Sequence, residues 1–205
     1  DCNYCCEVPE PNCVNETCES LGVSCGTYET CGEDLDCGEC PTPAGEQIPL
    51  TAGTVVSFRS DAWNSYCSAQ DGSDHLMHCN RQDVGSWEIF TLAKLSGDTG
   101  PIQSGDTVAI YSFGWNKLCA AEDIDNNVLN CNRDDPGPWE KYIITKANGT
   151  GPLQTNEPVY FRSVEWNTYC STNTTTDHQV HCNASYMGTQ AQFRLMLEIE
   201  LPKYD

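Results

Sequence analysis

The chain has 205 residues, 15 of them cysteine, and a formal net charge of -20 from 10 Lys+Arg against 30 Asp+Glu. Cations so few and so dilute exclude nucleic acid and anionic membrane surfaces as main partners, because neutralising phosphates needs Lys and Arg clustered on one face. No apolar run approaches the length of about twenty residues that inserts in a bilayer, and the chain opens at Asp1-Cys2 with no signal-peptide pattern. A mature, soluble, extracellular protein is expected, secreted into an oxidising compartment that turns its cysteines into cross-links.

The charge is uneven along the chain. No Lys or Arg occurs before Arg59, while Asp1, Glu7, Glu10, Glu16, Glu19, Glu29, Glu33, Asp34, Asp36, Glu39 and Glu46 all precede it. The same stretch holds nine of the fifteen cysteines and few large apolar residues, and ends at Cys40-Pro41-Thr42-Pro43-Ala44-Gly45. Residues 1–40 therefore read as an acidic, cysteine-stapled, loop-dominated module, and residues 41–49 as a stiff Pro/Gly linker. The acidic run lacks the alternating oxygen spacing of a calcium loop and reads as a solvated face.

Residues 50–205 repeat with a period of about fifty residues, in copies at about 50–101, 102–152 and 153–205. Trp63-Asn64-Ser65-Tyr66-Cys67 matches Trp115-Asn116-Lys117-Leu118-Cys119 and Trp166-Asn167-Thr168-Tyr169-Cys170. Val56-Ser57-Phe58-Arg59-Ser60 returns as Val108 to Ser112 and Val159 to Ser163, and Cys79-Asn80-Arg81 as Cys131-Asn132-Arg133 and, loosely, Cys182-Asn183-Ala184. Trp87-Glu88 returns as Trp139-Glu140 but is lost at Gln190-Ala191. Each copy predicts four short alternating strands between Gly, Asn, Asp or Pro turns, with no helical period. Three such units are too few for a typical propeller and fit an all-β, three-fold β-trefoil.

The pattern of (V/I)-x-(F/I)-x-S, the turn Asn, N-R and W-E-x-F over residues 50 to 197 resembles the fascin-like β-trefoil modules, which also occur in secreted carbohydrate-active proteins. Repeat three departs at Ala184, Gln190 and Ala191, so whatever Arg and Trp-Glu do elsewhere is replaced there.

Six cysteines fall at equivalent positions twelve residues apart, and the repeat symmetry pairs Cys67 with Cys79, Cys119 with Cys131 and Cys170 with Cys182. A zinc set is the rival reading, but its ligands would have to come from separate repeats. In the amino-terminal part nine is an odd number, and spacing alone does not choose a connectivity. Cys13, Cys18, Cys25, Cys31, Cys37 and Cys40, with their interspersed Gly, resemble a small six-cysteine module found beside domains of secreted bacterial and algal proteins. That resemblance implies three internal bridges among the six. Cys2, Cys5 and Cys6 remain, at least one of them free, capped or bonded to another chain. The C-x-x-C spacings at Cys2–Cys5 and Cys37–Cys40 have no thioredoxin-like βαβ setting and read as structural.

Catalytic chemistry is not expected. There is no G-x-S-x-G, H-E-x-x-H or phosphate-cradling Gly loop, the acids are too scattered to nominate a glycosidase pair, and no cofactor or metal is called for. His75-x-x-His78 and His178-x-x-His181 match in repeats one and three, with Asn127 and Asn130 in repeat two, and a strand would send each pair to opposite faces. Asp123-x-Asp125-x-Asn127 lacks the remaining ligands of a calcium loop and reads as a hairpin turn. Asn15, Asn148, Asn173 and Asn183 head N-x-S/T sequons, glycosylated in a eukaryotic host.

Trp63, Trp115 and Trp166, each before a turn Asn (Asn64, Asn116, Asn167), are the candidate ligand or interface residues: aromatic faces stack on sugar rings and amides bond hydroxyls, although the Q-x-W signature of ricin-type lectins is absent, and packing onto neighbouring loops is the alternative. Trp87 and Trp139 read as core wedges. From the end of the expected last strand, Leu197, Ile199 and Leu201 continue a period-two pattern suited to pairing with the amino-terminal module of the same chain or, the reading preferred, with another copy. The functional expectation is a non-catalytic extracellular structural or adhesive subunit that self-assembles through its termini, its partners being copies of itself. The alternative is a carbohydrate-binding, lectin-like module whose partners are glycans.

Overall fold

A computed structural model describes residues 47–198, apart from 71, 73, 74, 125 and 176, together with the backbone of two strands before them. Those two strands, β1 (Thr27–Thr30) and β2 (Glu33–Asp36), form an antiparallel hairpin in a unit that ends at Glu46. All nine cysteines of that unit, and Asn15, lie outside the described residues, as do Ile199 and Leu201.

The second unit begins at Gln47. Ile48 and Pro49, expected in the linker, belong to it: Ile48 and Thr155 exchange bonds from their amides, and Pro49 bridges Gln154. Each repeat supplies four strands. Repeat one contains β3 (Val55–Ser60), β4 (Ser65–Ala69), β5 (Met77–Arg81) and β6 (Ile89–Lys94). Repeat two contains β7 (Thr107–Ser112), β8 (Lys117–Ala121), β9 (Leu129–Arg133) and β10 (Tyr142–Lys146). Repeat three contains β11 (Pro158–Ser163), β12 (Tyr169–Thr172), β13 (Val180–Ala184) and β14 (Phe193–Leu197).

The first and fourth strands of every repeat close a six-stranded barrel: β3 pairs with β6 and β14, β7 with β6 and β10, and β11 with β10 and β14. The second and third strands form a hairpin on each repeat. This is a β-trefoil. Alternation explains which residues enter the barrel: Val56, Phe58, Val108, Ile110, Val159 and Phe161 from the first strands meet Phe90, Leu92, Tyr142, Ile144, Phe193 and Leu195 from the fourth, all buried. Phe58 stacks on both Phe90 and Phe161, at 4.9 and 5.3 Å between ring centroids.

Two circuits of main-chain hydrogen bonds join the repeats, one among the segments that precede the first strands and one among the hairpins. In the first, Leu50 N–H donates to Leu153, Leu153 to Ile102 and Ile102 to Leu50, at 2.7–2.9 Å, on three buried side chains. In the second, Cys79 N–H donates to His178, Cys182 to Asn127 and Cys131 to His75, at 2.8–3.0 Å. Beside these last bonds lie the three disulfides, Cys67–Cys79, Cys119–Cys131 and Cys170–Cys182, each within one repeat.

Candidate functional site

Trp63, Trp115 and Trp166 are half-buried, and each one locks its own repeat onto the preceding one. Trp115 donates its indole N–H to the carbonyl of Ala69 and Trp166 to that of Ala121, both at 2.7 Å, while Trp63 donates to Thr172 Oγ1 at 2.9 Å. His75 and His178 sit in the left-handed region, at φ 48° and 50°, and lay their rings on Trp115 and Trp63 with centroids 4.0 Å apart. Asn64, Asn116 and Asn167 are left-handed turn residues at φ 54–56°, a conformation asparagine tolerates better than most. Their side-chain oxygens accept from Arg59, Tyr111 and Arg162 on the strand before the turn. The tryptophans are partly accessible, as the sequence suggests, but their donors and one face are already engaged and the turn amides are tied back. The three loops are joints between repeats, and the geometry does not bring Trp63, Trp115 and Trp166 together into a ligand surface.

Trp87 and Trp139 differ from the sequence expectation. They are not core wedges but half-exposed rings lying near the joint tryptophans, Trp87 at 5.7 Å from Trp115 and Trp139 at 6.5 Å from Trp166. The residue after each is what goes inside: Glu88 and Glu140 are only 5% and 3% exposed. Each carboxylate folds back onto the amide three residues earlier, Gly85 N–H at 2.7 Å and Gly137 N–H at 2.6 Å, so the G-x-x-E spacing encodes the turn. The Arg of N-R then closes over it. Arg81 Nε lies 3.7 Å from Glu88, and Arg133 lies 3.9 Å from Glu140, 2.6 Å from Glu122 and 5.5 Å over the Trp139 ring. In repeat one Gln70 also donates to Asn80 at 2.9 Å across the hairpin.

Burial raises the Glu88 carboxyl above its ordinary 4.5, against the Gly85 hydrogen bond and the Arg81 charge. With the folded value above the unfolded one, the stability this group contributes is complete below about pH 4.5 and is lost as pH rises through the folded value. Glu88→Gln keeps an oxygen for Gly85 N–H and does not titrate. The stability difference between wild type and variant, from urea midpoints, is therefore expected to shift in favour of the variant from pH 4 to pH 7; a difference independent of pH would refute this account.

Repeat three has none of these closures. Where repeats one and two place Arg, Trp and Glu, it has Ala184, Gln190 and the buried Ala191. A cavity of about 390 Å³ opens there, between the ends of β12 and β13 and the loop 185–190. Thr172, Asn173, Asn183, Ser185, Tyr186 and Gln190 line it, and no lining residue carries a charge. Thr172 Oγ1 forms its floor, donating to the Gln190 carbonyl at 3.2 Å and accepting from Trp63. Tyr186 and Met187, 69% and 54% exposed, stand on the loop beside it. A Cβ on Gly188 would meet the Tyr186 ring at 3.0 Å, so the ring leans over the glycine. A concavity of about 480 Å³ occupies the corresponding loop of repeat one, but it includes Arg81, Asp83 and Glu88 and does not reach β4.

The remaining sequence candidates fall elsewhere. His78, on β5, has its imidazole pKa lowered by burial, partly offset by the carbonyl and carboxylate of Asp177. His181 Nε2 lies 3.1 Å from Gln179 Oε1. Asp123 and Asn127 flank a turn whose Asn126 and Asn127 are left-handed. Among the described residues no group of three or more His, Cys, Asp or Glu is placed to hold a metal ion. Asn148 is exposed on a turn, whereas Asn173 and Asn183 both face the repeat-three cavity. The cavity itself was not among the sequence candidates; its signal was the loss of N-R and W-E from one copy alone.

No protein-family model matches this chain, and no curated protein matches it in sequence. Solved structures do. An SDF2-like protein from Arabidopsis thaliana is similar at a TM-score of 0.63 and 13% identity, over 77% of this chain and 100% of that one. A Caenorhabditis elegans protein of unknown function is similar at 0.62 and 11%, over 75% and 98%. A designed three-fold symmetric protein, ThreeFoil, is similar at 0.54 and 12%, over 69% and 97%. At these identities the likeness is one of fold.

Proposed function

We propose that the chain is a non-catalytic, extracellular, carbohydrate-binding module whose site is the repeat-three groove. The observation that carries this is chemical: in a chain of net charge -20, the groove is lined by hydroxyls, amides and one exposed phenol ring, with no charge at all. Neutral polyols suit such a lining, since amides and hydroxyls exchange hydrogen bonds with sugar hydroxyls while an aromatic face covers the C–H face of the ring. A charged ligand would find no counter-charge there. Three disulfides in the trefoil alone support an oxidising, extracellular setting.

The test is binding to an array of neutral glycans, followed by titration of the best one. Tyr186→Ala is expected to weaken binding about tenfold, the equivalent of about 1.4 kcal/mol for one lost ring contact. The triple change Ala184→Arg, Gln190→Trp, Ala191→Glu rebuilds the closure of the other repeats and is expected to abolish binding. A wild type that binds no neutral glycan, or a closed variant that binds as well as wild type, sinks the reading.

A second reading is self-association through the residues that follow β14; Leu197, expected in the assembling strand, is instead taken up within its own barrel. The ladder of β14 with β3 runs to Leu197 opposite Val56, and Glu198 continues it, donating N–H to Val55 at 3.1 Å and accepting from Ser57 Oγ at 2.5 Å. The alternating Ile199 and Leu201 thus follow a strand that is already paired. Truncation after Glu198 is expected to abolish assembly seen by light scattering. Unchanged assembly of the truncated chain, or a monomeric full-length chain, would refute it, and dispersal on changing Cys2, Cys5 and Cys6 to serine would assign the contact to them.

A further inference from the structure

The 390 Å³ cavity does not stand alone. A second one, of about 260 Å³, is lined by Asn126, Ser171, Asn173, His181 and Asn183, and it shares Ser171, Asn173 and Asn183 with the first. The groove therefore runs from the loop of repeat three to the hairpin of repeat two, with two asparagines at its junction. Both asparagines head sequons, Asn173-Thr174-Thr175 and Asn183-Ala184-Ser185. These are the positions at which repeat one joins its hairpin by the Gln70–Asn80 bond; in repeat two the first of them is Glu122, held by Arg133, and the second is Asn132. In repeat three the Asn173 oxygen turns instead to its own sequon, accepting from Thr175 N–H at 3.3 Å and Oγ1 at 2.5 Å. Asn183 is exposed on β13, in the same groove as Tyr186. Asn148, in contrast, sits on an exposed turn and lines neither cavity.

We propose that N-glycosylation at Asn183 closes this groove, so that modification and ligand binding exclude each other. The proposal rests on the carbohydrate reading for its ligand, but not for its site. In the modification the Asn183 Nδ2 forms a bond to the anomeric carbon of a lipid-linked oligosaccharide diphosphate. The bond from that carbon to the diphosphate oxygen breaks, and one amide proton leaves with the diphosphate product. The attached sugar is itself a neutral polyol tethered at the junction, next to the Tyr186 ring, in a groove that suits such chemistry. Tethering makes its binding intramolecular, at an effective concentration that a free ligand does not match. The unmodified chain is the form that takes ligand from outside, over both cavities, and so prefers an oligosaccharide to a single sugar.

The experiment uses the full chain secreted from a glycosylating eukaryotic host as wild type, Ser185→Ala, Asn183→Gln and Thr150→Ala, with site occupancy read by peptide mass. Because Asn183 and Ser185 line the groove, ligand binding is compared between the modified and unmodified fractions of wild type, and the variants at these two residues serve the nitration readout. Ser185 is exposed, so its loss leaves the fold intact, and Thr150→Ala removes only the distant sequon at Asn148. Two readouts follow: the number and affinity of sites for neutral oligosaccharides, and nitration of Tyr186 by tetranitromethane. Glycan at Asn183 is expected to shield Tyr186 in wild type and in Thr150→Ala, and not in the other two. If about nine wild-type chains in ten carry it, the number of ligand sites per chain should fall to about one tenth while the affinity of the unmodified tenth is unchanged, since a covalent modification, unlike interconverting states, does not exchange during the titration. Shielding of Tyr186 with no binding in any form upholds the closure and removes the carbohydrate reading. Equal nitration in all four forms, equal affinity in modified and unmodified chains, or an unmodified Asn183 in wild type overturns the closure.

Discussion

Replacing Cys119 and Cys131 together by alanine is expected to lower trefoil stability by about 3 kcal/mol, the loop-closure entropy that a bridge across so short a segment removes from the unfolded chain. For a unit of this size that corresponds to a fall of about 10 °C in the thermal midpoint. The same argument applies to Cys67–Cys79 and Cys170–Cys182, whose loops have the same length, a separation of 12 residues. The three bridges lie in different hairpins, so their effects add to about 9 kcal/mol, within the 5–15 kcal/mol that holds a whole domain together. A fully reduced trefoil is therefore expected to be unfolded at 37 °C. Urea titrations of the double variants and of the reduced chain give the measurement. A loss below about 1 kcal/mol per bridge would mean that residual structure already confines the hairpins in the unfolded chain, contrary to this account.

Trp115→Ala is expected to cost about 2–4 kcal/mol, the lower part of the range for removing a large aromatic, because the ring is only half-buried. Its removal also strips a hydrogen bond from the buried Ala69 carbonyl and uncovers the His75 ring. Trp166→Ala should behave alike, since its indole N–H bonds to Ala121 in the same way and Trp139 lies against it. Trp63→Ala should cost less. Its N–H partner is a hydroxyl, and repeat three supplies Gln190 where the others have a second tryptophan. Trp115→Phe separates the terms, keeping most of the stacking and losing the N–H bond, for about 1 kcal/mol. If denaturant unfolding ranks Trp63→Ala with the other two, the contribution of the second tryptophan is refuted.

Much of this architecture was legible in the sequence because it is written three times. A cysteine pair twelve residues apart has many possible partners in one copy, but three equivalent pairs leave a single consistent solution, and the strands that carry V-x-F-x-S align themselves. What the repeats could not reveal was contact between neighbours. Trp115 lies forty-six residues from its acceptor in Ala69, and no local pattern distinguishes a ring stacked on the preceding repeat from one facing solvent. The burial of Glu88 was equally hidden, because the W-E pair draws attention to the aromatic residue, while the turn at Gly85 takes the acid inside. The groove stood in the alignment as three departures, Ala184, Gln190 and Ala191. Their meaning needed the geometry of the two intact copies.

The two main-chain circuits set an arithmetic for how such a chain can lengthen or shorten. Each repeat gives one donor and takes one acceptor in both circuits, so a chain with a single copy deleted leaves Leu50, Ile102 or Leu153 without its reciprocal neighbour, and a fourth copy has no place in a circle of three. Gains and losses of whole repeats are thereby restricted to sets of three. Substitutions are not restricted in this way, because the circuits run through amides and carbonyls that every residue but proline carries in full. One copy can drift far from its sisters while the circle stays shut, which is how a three-fold frame comes to hold chemistry in a single corner.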